Sequence, residues 1–376
     1  MAALSSTDLD FLSMALALAE RGRGRVSPNP LVGAVVVRDG QIIGEGWHAQ
    51  LGGAHAEVVA IEATGGNEAT AGATIYVSLE PCCHQGRTPP CTDAIRSAGI
   101  TRVVVASDDP SEKASGRGLG ILRDDGIQVD VADGEIRQQA VDLNQPFRKH
   151  SRTGMPWVLS KVAMSMDGKV SSASGDSKWI SGDASRALVH AWRSDVDAVA
   201  VGIGTALADD PALTSRDGEV ESPRQPRRIV FDSSGRLPLE SKLIATLELA
   251  PLTVVVGRAA ARGQVNALEA SGVDVLVATG ENEAARVTSA MEQLGEQGIT
   301  SILLEGGPKL NGAFLDAREL DELRVFMAPM LFGAHAARDP FEGSGSETVA
   351  DALRFKTPSV LQVGEDLLLT SRLREW

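Results

Sequence analysis

Apolar residues recur at helical spacing over 7–21, where Leu9, Leu12, Leu16 and Ala19 mark one face and Thr7 offers a cap. The pattern then changes. Residues 31–37 and 41–47 read as two strands around the Arg38-Asp39-Gly40 turn, a hairpin signal. A helix begins near His55, with His55 and Glu57 in its first turn and Val58, Val59 and Ile61 predicted on its buried side. A short β-branched strand over 74–78 delivers Pro81-Cys82, and a helix over 91–98 starts at Cys91. Strands at 102–106 and 127–131, with a glycine-rich helix start at 116–120 between them, continue an alternating β/α order. A helix over 134–147 leads into a basic polar stretch, Arg148 to Gly154, with Pro156 beyond it. The boundary is placed in that stretch, which predicts domains 1–150 and 151–376.

The second half restarts with a strand over 157–163. Further strands are predicted at 197–201, 227–231, 252–256, 273–277, 300–304, 323–328 and 360–371, and helices at 183–193, 284–297 and 308–317 separate several of them. This order predicts a second α/β domain on a mainly parallel sheet with an antiparallel hairpin at its end. No internal repeat relates the two halves.

Composition narrows the class. A chain of 376 residues has room for two to three domains, and 43% hydrophobic with 23% charged residues is ordinary for a globular protein. The net charge is −14 and both halves are acidic, which argues against a nucleic-acid partner. Three cysteines do not make a disulfide framework, and thiolate ligands suit a reducing compartment. No apolar run of 18 residues and no leader pattern occurs, so a cytoplasmic protein with no membrane partner is expected.

The strongest chemical signal is His55-Ala-Glu57, followed by Pro81-Cys82 and then Cys91. One imidazole and two thiolates make three ligands for Zn²⁺ and leave a fourth position for water, whose pKa the metal lowers towards neutrality. Glu57, two residues past the histidine, is placed to move protons beside that water. A histidine, a non-ligand glutamate, a Pro-Cys pair and a second cysteine form the signature of zinc-dependent base deaminases. Any one of these residues alone reads as structural; together, in this order, they read as a catalytic metal site. The usual C-x-x-C is stretched, with eight residues between Cys82 and Cys91. Cys83 reads as a bystander, and His84 as a loop or substrate residue. Cys91 at a helix start favours thiolate.

With these residues quoted, the first domain resembles the deaminase half of the bifunctional riboflavin-biosynthesis family, the diaminohydroxyphosphoribosylaminopyrimidine deaminase/5-amino-6-(5-phosphoribosylamino)uracil reductases. Pro28-Asn29-Pro30, His55-Ala-Glu57, Leu79-Glu80-Pro81-Cys82 and Gly86-Arg87-Thr88-Pro89-Pro90-Cys91 carry the likeness. The second domain resembles the reductase half, through Ser165-Met166-Asp167-Gly168-Lys169, Ser177-Lys178-Trp179-Ile180, the 206–214 segment, Phe231-Asp232-Ser233 and Glu305-Gly306-Gly307-Pro308. The resemblance implies an α/β chain: a cytidine-deaminase-like α/β/α domain followed by a dihydrofolate-reductase-like domain. Two departures stand out. Ser111-Glu112 occupies the place of a usual Asn-Pro, and Cys83 stands where Ser or Ala is usual.

The resemblance further implies hydrolytic loss of an exocyclic amine from a small phosphoribosyl pyrimidine, with Zn²⁺ on His55, Cys82 and Cys91 and Glu57 as proton shuttle. Asn29, His48 and Arg87 are implied as substrate contacts. It then implies NADPH reduction of the ribosyl group, as an open-chain aldehyde, to ribityl. Ser177, Arg193, Leu213, Arg216 and Glu305 align with substrate contacts, with Arg193 and Arg216 gripping the 5′-phosphate. Ala163, Trp179, Thr205, Asp209, Ser233, Gly306 and Gly307 align with cofactor contacts. Trp179 also reads as simple core packing, and Lys161 and Asp209 are the candidates for the general acid. A homo-oligomer is expected. The rival readings are a zinc nucleobase or nucleic-acid deaminase with a non-catalytic nucleotide-binding second domain, and a zinc-stabilised binding protein. A purely structural zinc site has no need of Glu57.

Overall fold

The structure, a computed structural model, describes residues 4–85, 89–112, 114–218, 220–333 and 336–376. It divides into two compact units, Met1–Gly154 with Trp376 and Met155–Glu375. Among the described residues no helix is long and apolar enough to cross a membrane.

The first unit runs α1 (Ser6–Glu20), β1 (Gly33–Arg38), β2 (Gln41–Trp47), α2 (Ala56–Glu62), α3 (Asn67–Thr70), β3 (Thr74–Val77), α4 (Cys91–Ser97), β4 (Arg102–Val105), α5 (Arg117–Asp124), β5 (Gln128–Val131), α6 (Gly134–Leu143) and α7 (Gln145–Thr153). Its sheet has the order β2-β1-β3-β4-β5. β1 is antiparallel to both β2 and β3, while β3, β4 and β5 are parallel. The period of two along β1 feeds two cores. Ala34 and Val36 pack with Ala56, Ala60 and Ile95, whereas Val35 and Val37 pack with Leu12, Leu16 and Ile136.

Three local expectations are corrected here. Ser5, not Thr7, caps α1: its hydroxyl accepts the Asp8 N–H at 3.1 Å, and Asp8 accepts the Ser5 N–H in return, a capping box. Asp8 also accepts from Tyr76 and Arg102, both at 2.7 Å, which ties the helix start to β3 and β4. The predicted 134–147 helix is two helices. The Asn144 side chain bonds both backbone groups of Leu31, at 2.8 and 2.9 Å, and Pro146 then opens α7. The basic stretch at 148–154 is therefore a helix with Arg148 and Lys149 buried, ended by Gly154 at φ 74°.

The third correction concerns α2. Its buried residues are Ala56, Glu57 and Ala60, and Val58, Val59 and Ile61 are only half-buried. The cause is a close approach to β2. A Cβ on Gly46 would lie 2.4 Å from the Ala60 nitrogen and 2.5 Å from the Ala56 oxygen, and one on Gly44 would lie 2.2 Å from the Ala60 oxygen. Only small residues let the helix sit this low, and the descent carries Glu57 into the interior.

The second unit runs β6 (Trp157–Ser165), α8 (Asp183–Asp195), β7 (Ala198–Gly202), α9 (Ile203–Asp209), β8 (Arg216–Asp217), β9 (Val220–Glu221), β10 (Arg227–Phe231), α10 (Lys242–Ala245), β11 (Leu252–Gly257), α11 (Arg262–Ala270), β12 (Asp274–Ala278), α12 (Glu283–Glu296), β13 (Ser301–Leu304), α13 (Pro308–Asp316), β14 (Glu322–Ala328), β15 (Ser359–Val363) and β16 (Asp366–Arg372). The large sheet has the order β12-β11-β10-β7-β13-β6-β14-β16-β15. It is parallel from β12 to β14 and antiparallel at β16 and β15. The expected parallel sheet with a terminal hairpin is thus present, and the 360–371 run is two strands turning at Gly364, φ 61°. Strands such as β11 and β13 are buried throughout, as a parallel sheet covered on both faces requires.

Gly46→Ala should lift α2 from β2. We expect the first unit to lose roughly 1–3 kcal/mol, the usual penalty for overpacking, seen as an earlier thermal transition. An unchanged transition would refute the close-approach account.

Candidate active sites

Each unit holds one candidate site. In the first, β3 leads to Pro81-Cys82, α4 begins at Cys91, and His55 is the N-cap residue of α2. The ligand atoms of His55, Cys82 and Cys91 all lie within 4.8 Å of one another. His55 Nδ1 is 3.2 Å from Cys91 Sγ and 3.5 Å from Cys82 Sγ. One nitrogen and two sulfurs converging this closely fit a tetrahedral zinc site with one position left over. Cys83 lies outside the cluster, and burial pushes its thiol up.

The sequence places a thiolate on Cys91, at the helix start. The Cys91 backbone N–H, the first of α4, points at Cys82 Sγ at 3.3 Å. The Cys91 thiol also donates to Cys82, and with His55 it holds Cys82 down at about 4. Cys91 is pushed up in turn by the same bond and by burial. The bond to Cys82 raises His55. Glu57 is 3% exposed; burial, then the Cys82 charge, pushes its carboxyl up to about 7.

Asn29 and His48 adjoin this cluster. The Asn29 amide lies 3.1 Å from His48 Nε2, and His48 Nδ1 lies 3.0 Å from the Ala54 carbonyl. The carbonyl accepts only, so Nδ1 carries the proton and Nε2 accepts from Asn29. Burial lowers His48, which keeps it neutral, and its ring meets His55 edge-on at 5.4 Å. Arg87 falls outside the described residues.

In the second unit, a cleft of about 720 Å³ opens at the carboxyl ends of the parallel strands, the usual place for ligands on such sheets. Ala163, Ser177, Thr205, Asp209, Ser233, Glu305, Gly306 and Gly307 line it, together with Lys161. Gly306-Gly307 opens α13, where uncapped N–H groups suit a phosphate. Arg236, Arg286 and Lys309 add positive charge to the lining. The volume, the bare helix start and the cations fit a dinucleotide cofactor.

Four predicted residues lie outside this lining. Trp179 is not core packing: it is 70% exposed, with the Arg186 guanidinium 4.4 Å from its ring centre. Leu213 is buried at φ 55°. Arg216 is exposed, and its Nε donates to His190 Nε2 at 3.2 Å. Arg193 is drawn into an ion pair. Its Nε and Nη2 reach both Glu305 oxygens, at 2.6 and 2.9 Å, and its Nη1 donates to the Thr214 carbonyl at 3.0 Å. Three of the guanidinium's N–H donors are therefore engaged inside the protein, and one on each of Nη1 and Nη2 is left for another acceptor. Burial raises the Glu305 carboxyl, but Arg193 outweighs this and holds it below the ordinary range. Lys161 faces the same pair, and burial pushes its ammonium down.

Sequence reasoning missed the partnership of Arg193 with Glu305, which are 112 residues apart, and the basic residues of the cleft. Arg236, in the loop after β10, and Arg286, in the first turn of α12, were the available signals.

Comparison with known proteins agrees with these two sites. Residues 156–369 match the RibD C-terminal domain, and residues 5–107 match the cytidine and deoxycytidylate deaminase zinc-binding region. The chain is 41% identical to the riboflavin biosynthesis protein RibD of Actinobacillus pleuropneumoniae over 96% of its own length and 94% of that protein. It is also 41% identical to the RibD protein of Escherichia coli strain K12, over 96% and 97%. Among solved structures, Acinetobacter baumannii RibD superposes with TM-score 0.85 at 38% identity, covering 97% of this chain and 98% of that one. The deaminase/reductase of Thermotoga maritima superposes with TM-score 0.83 at 36% identity, with the same coverage.

Arg193→Ala would leave Glu305 buried without its partner. We expect a loss of about 3–5 kcal/mol in the second unit, read by denaturant unfolding. The pH dependence has a definite sign. A carboxyl held low in the folded state adds stability above its ordinary value and loses it as acid approaches the lowered one. Wild type should therefore weaken on acidification below about pH 4, and Glu305→Gln should show a flatter acid limb.

Proposed function

We propose residue roles from the premise that this chain belongs to the RibD family of bifunctional riboflavin-biosynthesis enzymes, a deaminase and a reductase in one polypeptide. The family reactions are deamination of 2,5-diamino-6-ribosylamino-4(3H)-pyrimidinone 5′-phosphate and NADPH reduction of its ribosyl group to ribityl. We assign the first to residues 1–150 and the second to 151–376. The observation that carries the reading is the His55, Cys82, Cys91 cluster with buried Glu57 beside it.

His55, Cys82 and Cys91 would hold Zn²⁺, which supplies a water acidic enough to react near neutral pH. Water adds to the ring carbon that bears the amine. Glu57 takes one proton from the water and gives it to the ring nitrogen; it then takes the proton of the new hydroxyl and gives it to the amine, the carbon–nitrogen bond breaks, ammonia leaves and the ring keeps a carbonyl. The burial and the neighbouring Cys82 charge that raise Glu57 suit a group that both accepts and returns a proton. Asn29 and His48 shape the pocket wall beside His55, and the Asn29 side chain is oriented by His48. Arg87 remains assigned to substrate on the resemblance alone.

In the second unit, the residues that line the cleft would hold NADPH, which would supply the hydride for C1′ of the substrate. The open form of an N-riboside has a C1′=N bond rather than the free aldehyde first expected, so hydride adds to C1′ and a proton to that nitrogen. Lys161 is our choice for the proton donor: it lines the cleft beside Glu305, and its lowered ammonium gives up a proton more readily. Arg193 sets Glu305 in place and, with Arg216, keeps the phosphate role. Gly306-Gly307, with Ala163, Thr205, Asp209 and Ser233, would line the dinucleotide. We propose a homo-oligomer because β15, a sheet edge, exposes Val360 and Leu361. A reducing cytoplasm would keep the three thiols reduced.

Supplying the pyrimidinone with NADPH and following ammonia release and loss of nicotinamide absorbance tests the reading; neither signal would mean that it is wrong. Glu57→Gln should retain zinc and slow deamination by at least ~10²-fold. Cys82→Ala and Cys91→Ala should lose zinc while Cys83→Ala keeps it, as judged by metal analysis. Zinc loss from Cys83→Ala alone would overturn the ligand assignment.

A further inference from the structure

We propose that Glu80 is a positioning residue for Cys82, a role that rests on the ligand set assigned above. α5 has no side-chain cap of its own, because its N-cap residue is Gly116, at φ 81°. Glu80, 36 residues upstream of Gly116, supplies the missing acceptor. Its carboxylate is 3% exposed. Oε1 accepts the Gly118 N–H at 3.1 Å, and Oε2 accepts those of Gly116 at 3.0 Å and Asp109 at 3.3 Å. All three donors are backbone groups of the loop and first turn that form the start of α5. A buried carboxylate at a helix start also meets the positive end of the helix dipole. Two residues further along the chain is Cys82.

Pro81 completes the clamp. A Cβ on Gly118 would lie 2.3 Å from the Pro81 oxygen, so the first turn of α5 rests directly on the ligand segment. On its other side Cys82 is held by α4: its carbonyl accepts the Thr92 N–H at 3.2 Å and its sulfur the Cys91 N–H at 3.3 Å. Cys82 is thus suspended between α4 and the turn that Glu80 fastens to Pro81. Without the carboxylate the α5 side loses its three charge-assisted bonds, while the Glu80 N–H still donates to the Ser107 carbonyl at 3.0 Å. Asp109 does not replace the carboxylate, since its Oδ1 accepts the Ser111 N–H at 2.8 Å.

The test uses the full-length enzyme. Glu80→Gln turns one acceptor oxygen into an amide that faces N–H donors. We expect zinc affinity, measured against a chromophoric chelator, to fall ~10- to 100-fold, the range for outer residues that orient metal ligands. The visible band of the Co²⁺-loaded variant should shift, because it reports ligand geometry. Reductase kinetics on the same sample should match wild type, and a cooperative thermal transition of the first unit should show that this unit is folded. Wild-type zinc affinity with an unchanged cobalt band, even at a lower melting temperature, would leave Glu80 as a fold residue and overturn the proposal. If Glu80→Gln fails to fold, Gly118→Ala decides: displacing α5 from Pro81 should shift the same band, and no shift overturns the proposal. Failure of the wild type itself to take up zinc would instead remove the ligand set, and the proposal with it.

Discussion

The approach of α2 to β2 is the constraint on which the first site depends. Gly44 and Gly46 leave no side chain between strand and helix, and Ala56 and Ala60 answer with the smallest side chains that still pack. The helix therefore lies low enough that its N-cap residue, His55, meets the start of α4 and the end of β3. The same descent buries Glu57. A larger residue on either side would keep the motif in the sequence and lose the geometry, since the three donors must converge within a few ångströms to hold one ion.

Charge in the two sites is managed by different means. The first site brings two thiols and an imidazole within reach of one ion, and a bound dication would supply the charge that compensates two thiolates. The second site compensates internally and permanently. Arg193 and Glu305 neutralise each other at the cleft wall, and Lys161 faces them. Glu305 lines the cleft, and Arg193, outside the lining, fixes its carboxylate, a form of electrostatic preorganisation.

Both sheets use the same geometric device on different scales. Parallel strands end together, and the loops at their carboxyl ends carry the chemistry. In the first unit β3 delivers Cys82 and β4 leads to the loop that Glu80 holds. In the second, β6, β7, β10 and β13 contribute Ala163, the Gly202–Gly204 turn, Ser233 and Glu305 to one cleft. Central strands such as β11 and β13 are buried throughout, which is why the polar residues just past their ends are conspicuous.

That contrast explains what was legible in the chain. Strand runs, the hairpin at Arg38-Asp39-Gly40 and the terminal β15–β16 pair follow from periodicity, which is a local property. The His55, Glu57, Cys82 and Cys91 set follows from residue chemistry and order, because few other roles need all four. Short helices such as α9 and α10 carry too few residues for a periodic signal. The break at Asn144 depends on Leu31, more than a hundred residues away. Likewise only the tertiary structure decided that α4's first N–H serves Cys82 rather than Cys91, that Arg193 belongs to Glu305, and that Glu80 caps a helix it does not adjoin. Hydrogen-bond donors of one sequence pattern can serve many acceptors. Which acceptor they meet is set by the packing of elements whose separation along the chain carries no record of it.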